Sequence, residues 1–536
     1  MGGLKVKPID QWTFTEALGA KVRRRRARAL SRSLVALALS LTRARSLAAR
    51  AQEARRRLER HWDSWVTELH IQRLAEAGLT HVRVPIGHWI RGDIAADEPY
   101  VNGEWPYLVR AAQWCRTHKM QMWLDLHTAP GSQNGFDNSG RFGEMLWSTD
   151  AAYVNRTLAI LDDVVAALAA VELGDIVTGF GLLNEPGMGT NYWHLLSFYD
   201  RAYAVVRAHL PDCAVYVGDN FQPEAFNWFW SGAAENTGEH GNIGQQQAEN
   251  AYLDSHIYAC FNADLQAMTP REHVKQVCGP ELDRLNHCCW EDQKRDVVSK
   301  GLGHFVGEWT AAFDQTPSPE FEKQIVKPMT KDRAEFLRQF AVAQMIVYEA
   351  TPEDHTYMDA AAKHHGLAIS GWFFWNFRME SPVYREWDYL EGLRMGWIPV
   401  LPANRSTSLK EVFGTCADVL ERTVDRCGVV APHPPIEGWV DKGPDGKPCP
   451  GAKPYHAPKP RGSGAGVALA LALVALAVCG GAAVACSGRC PALWTPWAKA
   501  KGSPGALKRG YVSVPDSIVS QVTTSIQQEE PVTLSA

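Results

Sequence analysis

Two glutamates are the residues of this chain best placed to do chemistry. Glu185 follows the apolar run of IVTGFGLLNEP, and Glu308 follows that of GHFVGEW. A buried strand that ends in a charged residue delivers that residue to a rim or a cleft. Two carboxyl groups, one protonated and one ionised, are the usual means of cleaving a glycosidic bond. The pair therefore predicts acid–base and nucleophilic chemistry on a sugar.

Seven short apolar runs are predicted to be buried parallel strands that position these acids. They are THVRVP, MQMWLDLH, IVTGFGLLNEP, CAVYVGD, YLDSHIY, GHFVGEW and AISGWFFWNF. Segments of helical period separate most of them, over residues 65–78, 104–119, 151–173 and 332–349. The alternation predicts an α/β chain, a (β/α)8 TIM barrel that is short of one strand. In such a barrel the C-terminal strand ends build the active site.

The composition is that of a large folded chain and argues against two classes of partner. The 536 residues are 46% apolar and 10% aromatic, enough for one large core or two ordinary ones. A net charge of −4 exerts no long-range attraction on polyanions, so no nucleic-acid partner is expected despite the arginine run 23–26. The 12 cysteines lack metal-type spacing and are too few for a disulfide scaffold. No metal or cofactor is expected.

Six strings carry a family resemblance. They are HVRVPIGHW, LDLHTAPGSQNGFDNSG, LLNEP, SHIY, VGEW and GWFFWNF, which run from after Trp62 to beyond Trp375. In this order and spacing they resemble the exo-β-1,3-glucanase branch of glycoside hydrolase family 5. The second string is highly specific, whereas a lone NEP would be weak. The resemblance implies a retaining glucosidase on a TIM barrel that removes glucose from the non-reducing ends of β-1,3-glucans.

The resemblance also implies roles for individual residues. Glu185 would be the general acid/base and Glu308 the nucleophile. Phe136 and Phe261 would form an aromatic clamp at the entrance, and Asp137 would bind substrate beside them. The residues implied to line the subsite for the terminal glucose are Arg83, His127, Asn184, His256, Tyr258 and Trp375.

Physical reasoning adds protonation states to these roles. Glu308 needs donors or a cation to remain ionised, and Arg83 with Tyr258 could supply them. Glu185 needs a raised pKa, for which burial and the nearby anion are the expected causes. Asn184 fits a hydrogen bond to the 2-hydroxyl of the reacting sugar, although it could also be a turn residue at the strand end.

Core packing is the alternative interpretation for several of these residues. His127 and His256, taken singly, could be core histidines, although both directly follow apolar strands. Trp375 lies in an apolar run in which packing is the default. Phe136 lies in a loop rich in Gly, Asn and Asp, where a sugar contact is the better interpretation.

The regions outside the barrel are predicted to connect it to a membrane. A divergent segment, 1–61, precedes the barrel at 62–428, and the Pro-, Gly- and Lys-rich stretch 429–464 predicts an extended linker. Residues 465–486 hold 22 residues without a charge and predict a transmembrane helix, followed by a polar tail, 487–536. A buried helix or a low-complexity tract is the alternative for the uncharged stretch.

These features predict a single-pass membrane protein with the barrel on the extracellular or lumenal side. Flanking basic residues lean slightly toward a cytosolic C-terminus. Glycosylation sequons at Asn155 and Asn404 are compatible with a lumenal barrel. The expected partners are a β-glucan and the membrane, and the expected state is a monomer.

The N-terminal segment departs from the family pattern. DQWTFTEALG resembles the segment that follows the family's opening strand, but nothing like that strand, RGVNLGGW, precedes Trp62. The stretch SLVALALSL at 33–41 could be a displaced signal, an amphipathic helix, or part of an insertion from Lys21 to about Glu53. A barrel short of one strand has two open edges. Either another segment fills in, the protein starts further upstream, or the chain is inactive or poorly folded.

Two other functions remain open at this point. A membrane-tethered glucan-binding protein could keep the barrel and lose catalysis, but such a loss normally removes one carboxylate and both are present. A related β-glycosidase, such as an endo-glucanase or a glycosylceramidase-like enzyme, would share the fold. The loop GSQNGFDNSG favours the exo-acting enzyme, since the family uses this loop to close the pocket beyond the first sugar subsites.

Overall fold

Seven parallel strands form one sheet in chain order. The computed structural model describes residues 52–226, 228–230, 242–282, 303–317, 328–349, 371–403, 407–430 and 437–456. The strands are β1 (His81–Ile86), β2 (Gln121–Leu126), β3 (Val177–Gly181), β4 (Ala214–Gly218), β5 (Ala251–Ile257), β6 (Gly303–Trp309) and β7 (Trp372–Phe374). Every neighbouring pair is parallel. All seven predicted strands are confirmed, and the sheet is a nearly closed barrel.

α-Helices separate most of the strands, as the sequence predicts, and between β4 and β5 the described residues include a 3-10 helix, Pro223–Phe226. A helical segment at 52–64 is followed by α1 (Glu68–Glu76), α2 (Trp105–Thr117), α3 (Ala151–Ala170), α4 (Tyr192–His209), α5 (Ala263–Gln266), α6 (Pro270–Leu282), α7 (Lys331–Tyr348), α8 (Tyr389–Met395), α9 (Leu409–Phe413) and α10 (Cys416–Arg422). Side-chain caps define the starts of the long helices. Asp150, Asn191 and Thr330 accept backbone N–H groups at the starts of α3, α4 and α7. These three helices therefore begin where the sequence supplies a cap, whereas α2 begins without a side-chain cap.

An aromatic layer fills the inside of the barrel below the acids. Buried Tyr216 and Phe305 pack there with the half-buried Trp123. The two glycines of β3 make this possible. A Cβ at Gly179 would lie 2.3 Å from the Trp123 ring, and one at Gly181 would lie 2.4 Å from the Tyr216 ring. The aromatic layer fills the barrel interior, so the polar side chains at the C-terminal strand ends remain at the barrel mouth.

The barrel has an open seam between β1 and β7. These are the terminal strands of the sheet, and within the described ranges they do not pair with each other. A mostly apolar cavity of 460 Å³ lies between them. The described residues thus contribute seven strands to a nearly closed barrel, and the predicted lack of one strand remains a prediction.

One disulfide ties the C-terminal part to the barrel, and a second closes a loop within that part. Cys278 of α6 bonds Cys416 of α10, and Cys427 bonds Cys449. Trp439 donates from its indole to the carbonyl of Ala267 at 3.0 Å. Residues 437–456 are therefore held against the barrel, which differs from the extended linker expected over 429–464.

The membrane prediction falls on residues that the structure leaves undescribed. In the ranges given above, no helix combines the length and hydropathy needed to cross a bilayer. The predicted span 465–486, the tail 487–536 and Asn404 lie outside these ranges, as do residues 1–51.

Candidate active site

The two glutamates meet at the C-terminal end of the barrel. Glu308 lies within β6 and is buried, while Glu185 lies four residues after the end of β3. One oxygen of each carboxylate lies within 4.8 Å of the other. Glu185 has a φ of +41°, a left-handed conformation that non-glycine residues seldom adopt. The chain turns sharply there, and the side chain faces Glu308 across the barrel mouth.

Two donors hold the buried carboxylate of Glu308 in place. Arg83 Nη1 donates to its Oε1 at 2.7 Å, and the Tyr258 hydroxyl donates to its Oε2 at 2.7 Å. Burial and the charges of both glutamates raise the pKa of Tyr258 well above its usual value, so this hydroxyl remains a donor. The sequence predicted both partners, and the structure brings them together.

Glu185 has a different environment from the one predicted. His256 Nδ1 lies 2.7 Å from its Oε1, and Asn138 donates to its Oε2 at 2.6 Å. Burial works to raise the pKa of Glu185, but the hydrogen bond and positive charge of His256, the charge of His127 and the amide of Asn138 lower it to about 2. The expectation of a raised pKa for Glu185 is therefore wrong. That expectation took account of burial and of the Glu308 carboxylate, but not of the positive charge on His256.

His256 carries the proton that sequence reasoning assigned to Glu185. Burial works to lower the pKa of His256, but three carboxylates around the ring raise it well above 6.5. Nδ1 lies 2.7 Å from Glu185 and 3.5 Å from Glu308, and Nε2 lies 3.4 Å from Asp254. The imidazole therefore holds a proton more strongly than Glu185 does, and it lies within hydrogen-bond reach of that acid.

Two further acidic residues lie next to Arg83 beneath the two glutamates. Asp125 Oδ2 lies 3.2 Å from Arg83 Nη2 and 2.6 Å from His127 Nδ1. Asp254 Oδ2 lies 3.7 Å from the same guanidinium nitrogen. Burial works to lower the pKa of Arg83, but these anions and Glu308 raise it well above its usual value. The guanidinium is a fixed cation that the carboxylates hold in place.

Sequence reasoning missed Asp254 and Asn138. A signal for Asp254 was available, since Asp125-Leu-His127 and Asp254-Ser-His256 repeat the pattern Asp-x-His at two strand ends. Residues two apart on a strand share a face, so each aspartate lies on the side of its histidine. The absence of a side chain at Gly307 also accommodates Asp254, because a Cβ there would lie 1.9 Å from Asp254 Oδ1.

The loop after β2 carries Asn138 and is fixed to the strand ends. Gln133 Nε2 donates to the carbonyls of His127 and Asn184 at 2.8 and 2.9 Å. Asn134 donates to the carbonyl of Glu185 at 3.0 Å. The loop thus joins the ends of β2 and β3 through buried amides, and it is a firm wall of the site.

The remaining predicted residues surround the acids. Asn184 accepts from Arg83 Nη2 at 2.8 Å, and its amide nitrogen lies 3.4 Å from His127 Nε2. The rings of His127 and Trp375 are parallel, with an interplanar angle of 5° and centroids 5.6 Å apart. Trp375 therefore belongs to the site wall, although its position in an apolar run favoured core packing.

The entrance residues are placed, but their pairing remains a prediction. Phe261 packs edge-on to Tyr258, with centroids 5.4 Å apart. Phe136 and Asp137 lie next to Asn138 in the loop after β2, and both are half-buried. Phe136 joins none of the hydrophobic clusters formed by the described residues, which agrees with a role outside the core.

Glu185, His256 and Glu308 are also the group of described residues close enough together to hold a metal ion. Each of the three already has a charged or hydrogen-bonding partner at 2.7 Å. A metal ion would have to displace the proton of His256, because a ligating imidazole is neutral. The donor set fits a proton-transfer site better than a metal site.

Comparisons with known proteins agree with this geometry. Residues 48–376 match the family model of Cellulase (glycosyl hydrolase family 5). The chain is 29% identical over 404 residues to a glucan 1,3-beta-glucosidase of Pichia angusta, covering 73% of this chain and 79% of that protein. A glucan 1,3-beta-glucosidase of Blumeria graminis is 32% identical over 369 residues, covering 65% of this chain and 76% of the relative.

Solved structures give a looser likeness. Rutinosidase from Aspergillus niger is 15% identical, with a TM-score of 0.44, over 63% of this chain and 84% of that one. The family match spans more than half of the chain and includes both glutamates. The chain is a glycoside hydrolase and belongs to glycosyl hydrolase family 5, in the branch of its glucan 1,3-beta-glucosidase relatives.

Proposed function

We propose that this protein is a retaining exo-acting β-1,3-glucosidase, which releases glucose from the non-reducing ends of β-1,3-glucans. The observation that carries the proposal is the approach of the two carboxylates to within 4.8 Å. Retaining enzymes hold them about 5 to 5.5 Å apart, whereas inverting enzymes need about 6.5 to 9.5 Å to admit a water. The names of the curated relatives support the substrate class.

In the first step Glu308 attacks the anomeric carbon and Glu185 protonates the departing oxygen. Arg83 and Tyr258 hold Glu308 in line for attack at 2.7 Å each. As Glu308 forms its bond, its negative charge disappears, and with it one of the anions that stabilise the imidazolium of His256. The proton then favours Glu185, 2.7 Å away. Attack and proton delivery are coupled in this way.

In the second step a water replaces the released glucan end. Glu185, now ionised, takes a proton from this water, which attacks the glycosyl–Glu308 ester and retains the anomeric configuration. Asn184, fixed by Arg83, is positioned to bond the 2-hydroxyl of the sugar. A hydrogen bond to this group strengthens as the oxocarbenium-like state develops.

The exo mode is supported by the walls of the site. The loop of Gln133, Asn134 and Asn138 is bonded to the strand ends next to Glu185. A fixed loop at this point limits how far a glucan chain can extend past the acids. An endo-acting enzyme needs an open groove on both sides of the acids.

We propose further that the enzyme is a monomer anchored by residues 465–486, with its barrel outside the cytosol. The two disulfides, Cys278–Cys416 and Cys427–Cys449, support an oxidising compartment. Carbonate extraction of membranes and protease protection of the barrel test this topology. A barrel digested from the cytosolic side would overturn it.

The catalytic proposal is tested with laminarin-type oligosaccharides and an aryl β-glucoside. We expect β-glucose as the first product by NMR, and chains shortened by one unit at a time. A Glu308→Gly variant should recover turnover of the aryl glucoside with azide and give an α-glucosyl azide. Initial release of α-glucose would contradict the retaining mechanism, and internal fragments would favour the endo-glucanase.

A further inference from the structure

The turn that carries Glu185 is held in an uncommon conformation. Glu185 has a φ of +41°, and Pro186 and Gly187 follow it as the chain leaves β3. A non-glycine residue keeps a left-handed backbone only where its surroundings hold it there. The direction of the Glu185 carboxyl group therefore depends on the groups that bond this turn.

The loop after β4 supplies such a group in the side chain of Asn220. One end of this buried amide lies 2.8 Å from the carbonyl oxygens of both Pro186 and Gly187. Carbonyl oxygens only accept hydrogen bonds, so this end is the amide nitrogen, and it donates one hydrogen to each carbonyl. One side chain therefore fixes two consecutive carbonyl groups directly after Glu185.

The sequence allows the end of β4 to come close enough for this contact. A Cβ at Gly218 would lie 3.1 Å from Pro186 Cδ and 3.6 Å from the Glu185 nitrogen, so the absence of a side chain lets the strand end pass beside the turn. Asn220 has a φ of +52°, a left-handed conformation that asparagine adopts more readily than most residues. Both residue types suit a strand end that must approach the turn of Glu185.

Asp219 connects the same loop to the histidine that faces Glu185. Its Oδ1 accepts the N–H of Phe221 at 2.8 Å, which closes a turn within the loop. Its Oδ2 accepts from the Ser255 hydroxyl at 2.7 Å, and Ser255 directly precedes His256. The loop after β4 is thus bonded both to the turn of Glu185 and to the strand end that carries His256.

We propose that Asn220 is a positioning residue for Glu185. Its two hydrogen bonds hold the turn after β3, so that the Glu185 carboxyl group stays 2.7 Å from His256 and close to Glu308. Asn220 is only 3% exposed, so it acts through the backbone of the turn and not by contact with the sugar. This role rests on the proposed function, in which Glu185 protonates the departing oxygen.

The role determines which reactions suffer when Asn220 is replaced. Protonation matters most for a poor leaving group such as a glucan hydroxyl, and least for an acidic phenol such as 2,4-dinitrophenol. A displaced Glu185 should therefore slow the first step with laminari-oligosaccharides and leave it nearly unchanged with 2,4-dinitrophenyl β-glucoside. A loss of folded protein would slow both reactions equally.

Asn220→Gly in the full chain tests this role, because glycine keeps the left-handed backbone and removes only the amide. We expect kcat/KM on laminari-oligosaccharides to fall by about 10²-fold or more, and kcat/KM on the dinitrophenyl glucoside to change by less than about 3-fold. Asn220→Asp keeps the shape of the side chain but has no donor when ionised, and it should show the same pattern. A similar loss on both substrates, or no loss on either, would overturn the proposal.

Asn250→Gly is the matched control at the other end of the barrel. Asn250 also has a left-handed φ, of +48°, and its amide donates to the carbonyl of Asp212 at 3.0 Å. It directly precedes β5 and so lies at the N-terminal end of that strand, away from the two glutamates. This variant should have a lower Tm with no difference between the two substrates. A selective loss on laminari-oligosaccharides in Asn250→Gly would also overturn the proposal.

The unaltered enzyme separates this role from the proposed function. Its release of glucose from laminari-oligosaccharides tests the function, whereas the ratio of the two kcat/KM values in Asn220→Gly tests the role of Asn220. If the unaltered enzyme cleaves only another β-glycoside, the proposed function fails, and the same ratio is measured with that substrate. An unchanged ratio would then overturn the role of Asn220, and a selective loss would support it.

Discussion

The Asp-x-His sequences at the ends of β2 and β5 are locally alike and behave differently. His127 bonds its own aspartate, Asp125, at 2.6 Å through Nδ1. His256 turns Nδ1 to Glu185 at 2.7 Å and leaves Asp254 at 3.4 Å from Nε2. The two histidines differ because Glu185, which follows β3, lies within hydrogen-bond distance of the His256 ring only. His127 is held by Asp125 and forms part of the wall of the site. His256 instead shares a proton with Glu185.

The largest effect is expected at the acids themselves. Glu308→Gln should reduce kcat/KM on laminarin oligosaccharides by about 10⁴-fold or more, because the nucleophile is lost. Glu185→Gln should abolish turnover of natural glucans but spare substrates with good leaving groups, which need less protonation. Normal activity of either variant would contradict the assignment. Circular dichroism of both variants controls for folding.

Substitutions of the two histidines should have clearly different effects on the kinetics. His256→Asn should lower kcat by about 10²-fold, because the proton store of Glu185 is lost. The pKa of His256 is raised, so the wild-type proton is kept at neutral pH and lost as the pH rises. The alkaline limb of kcat/KM should therefore move to lower pH in this variant. His127→Asn is the matched control and should raise KM with little movement of that limb.

Substitutions of Asp254 and Asp125 should differ in the same way as those of the two histidines, but with smaller effects. Asp254→Asn should move the alkaline limb to lower pH, because one anion that stabilises the imidazolium is removed. Asp125→Asn should leave that limb in place and weaken substrate binding through His127 and Arg83. Both variants break a buried ion pair and should reduce the free energy of unfolding by about 3 kcal/mol. Identical pH profiles would show that the two pairs are equivalent.

The smallest effect is expected in the pH dependence of stability. The pKa of Glu185, about 2, is below its usual 4.5, so its stabilisation is full above pH 4.5 and is lost as the pH falls toward 2. The raised pKa of His256 stabilises the fold below about pH 6.5, and this is lost as the pH rises through the folded value. His256→Asn should flatten the alkaline side of a plot of Tm against pH. An unchanged alkaline side would contradict the charged imidazole.

The strands and most of the site could be predicted because they depend on local sequence. Buried parallel strands are short apolar runs, and a polar residue directly after such a run lies at the barrel mouth. Tyr258 and Asn184 follow such runs and Arg83 lies within one, and the family resemblance supplied their roles. Asn138 could not be, because it lies in a loop whose position depends on the buried amides of Gln133 and Asn134.

The sequence alone determined the strand order, the two acids and the family to which they belong, because these depend on periodicity and on short strings of residues. Only the tertiary structure decided which of Glu185 and His256 holds a proton more strongly. The pKa of Glu185 depends on the balance between burial and the charge of His256, a residue 71 positions away that folding brings to 2.7 Å. Electrostatic energies depend on distances in space, which the order of residues does not state.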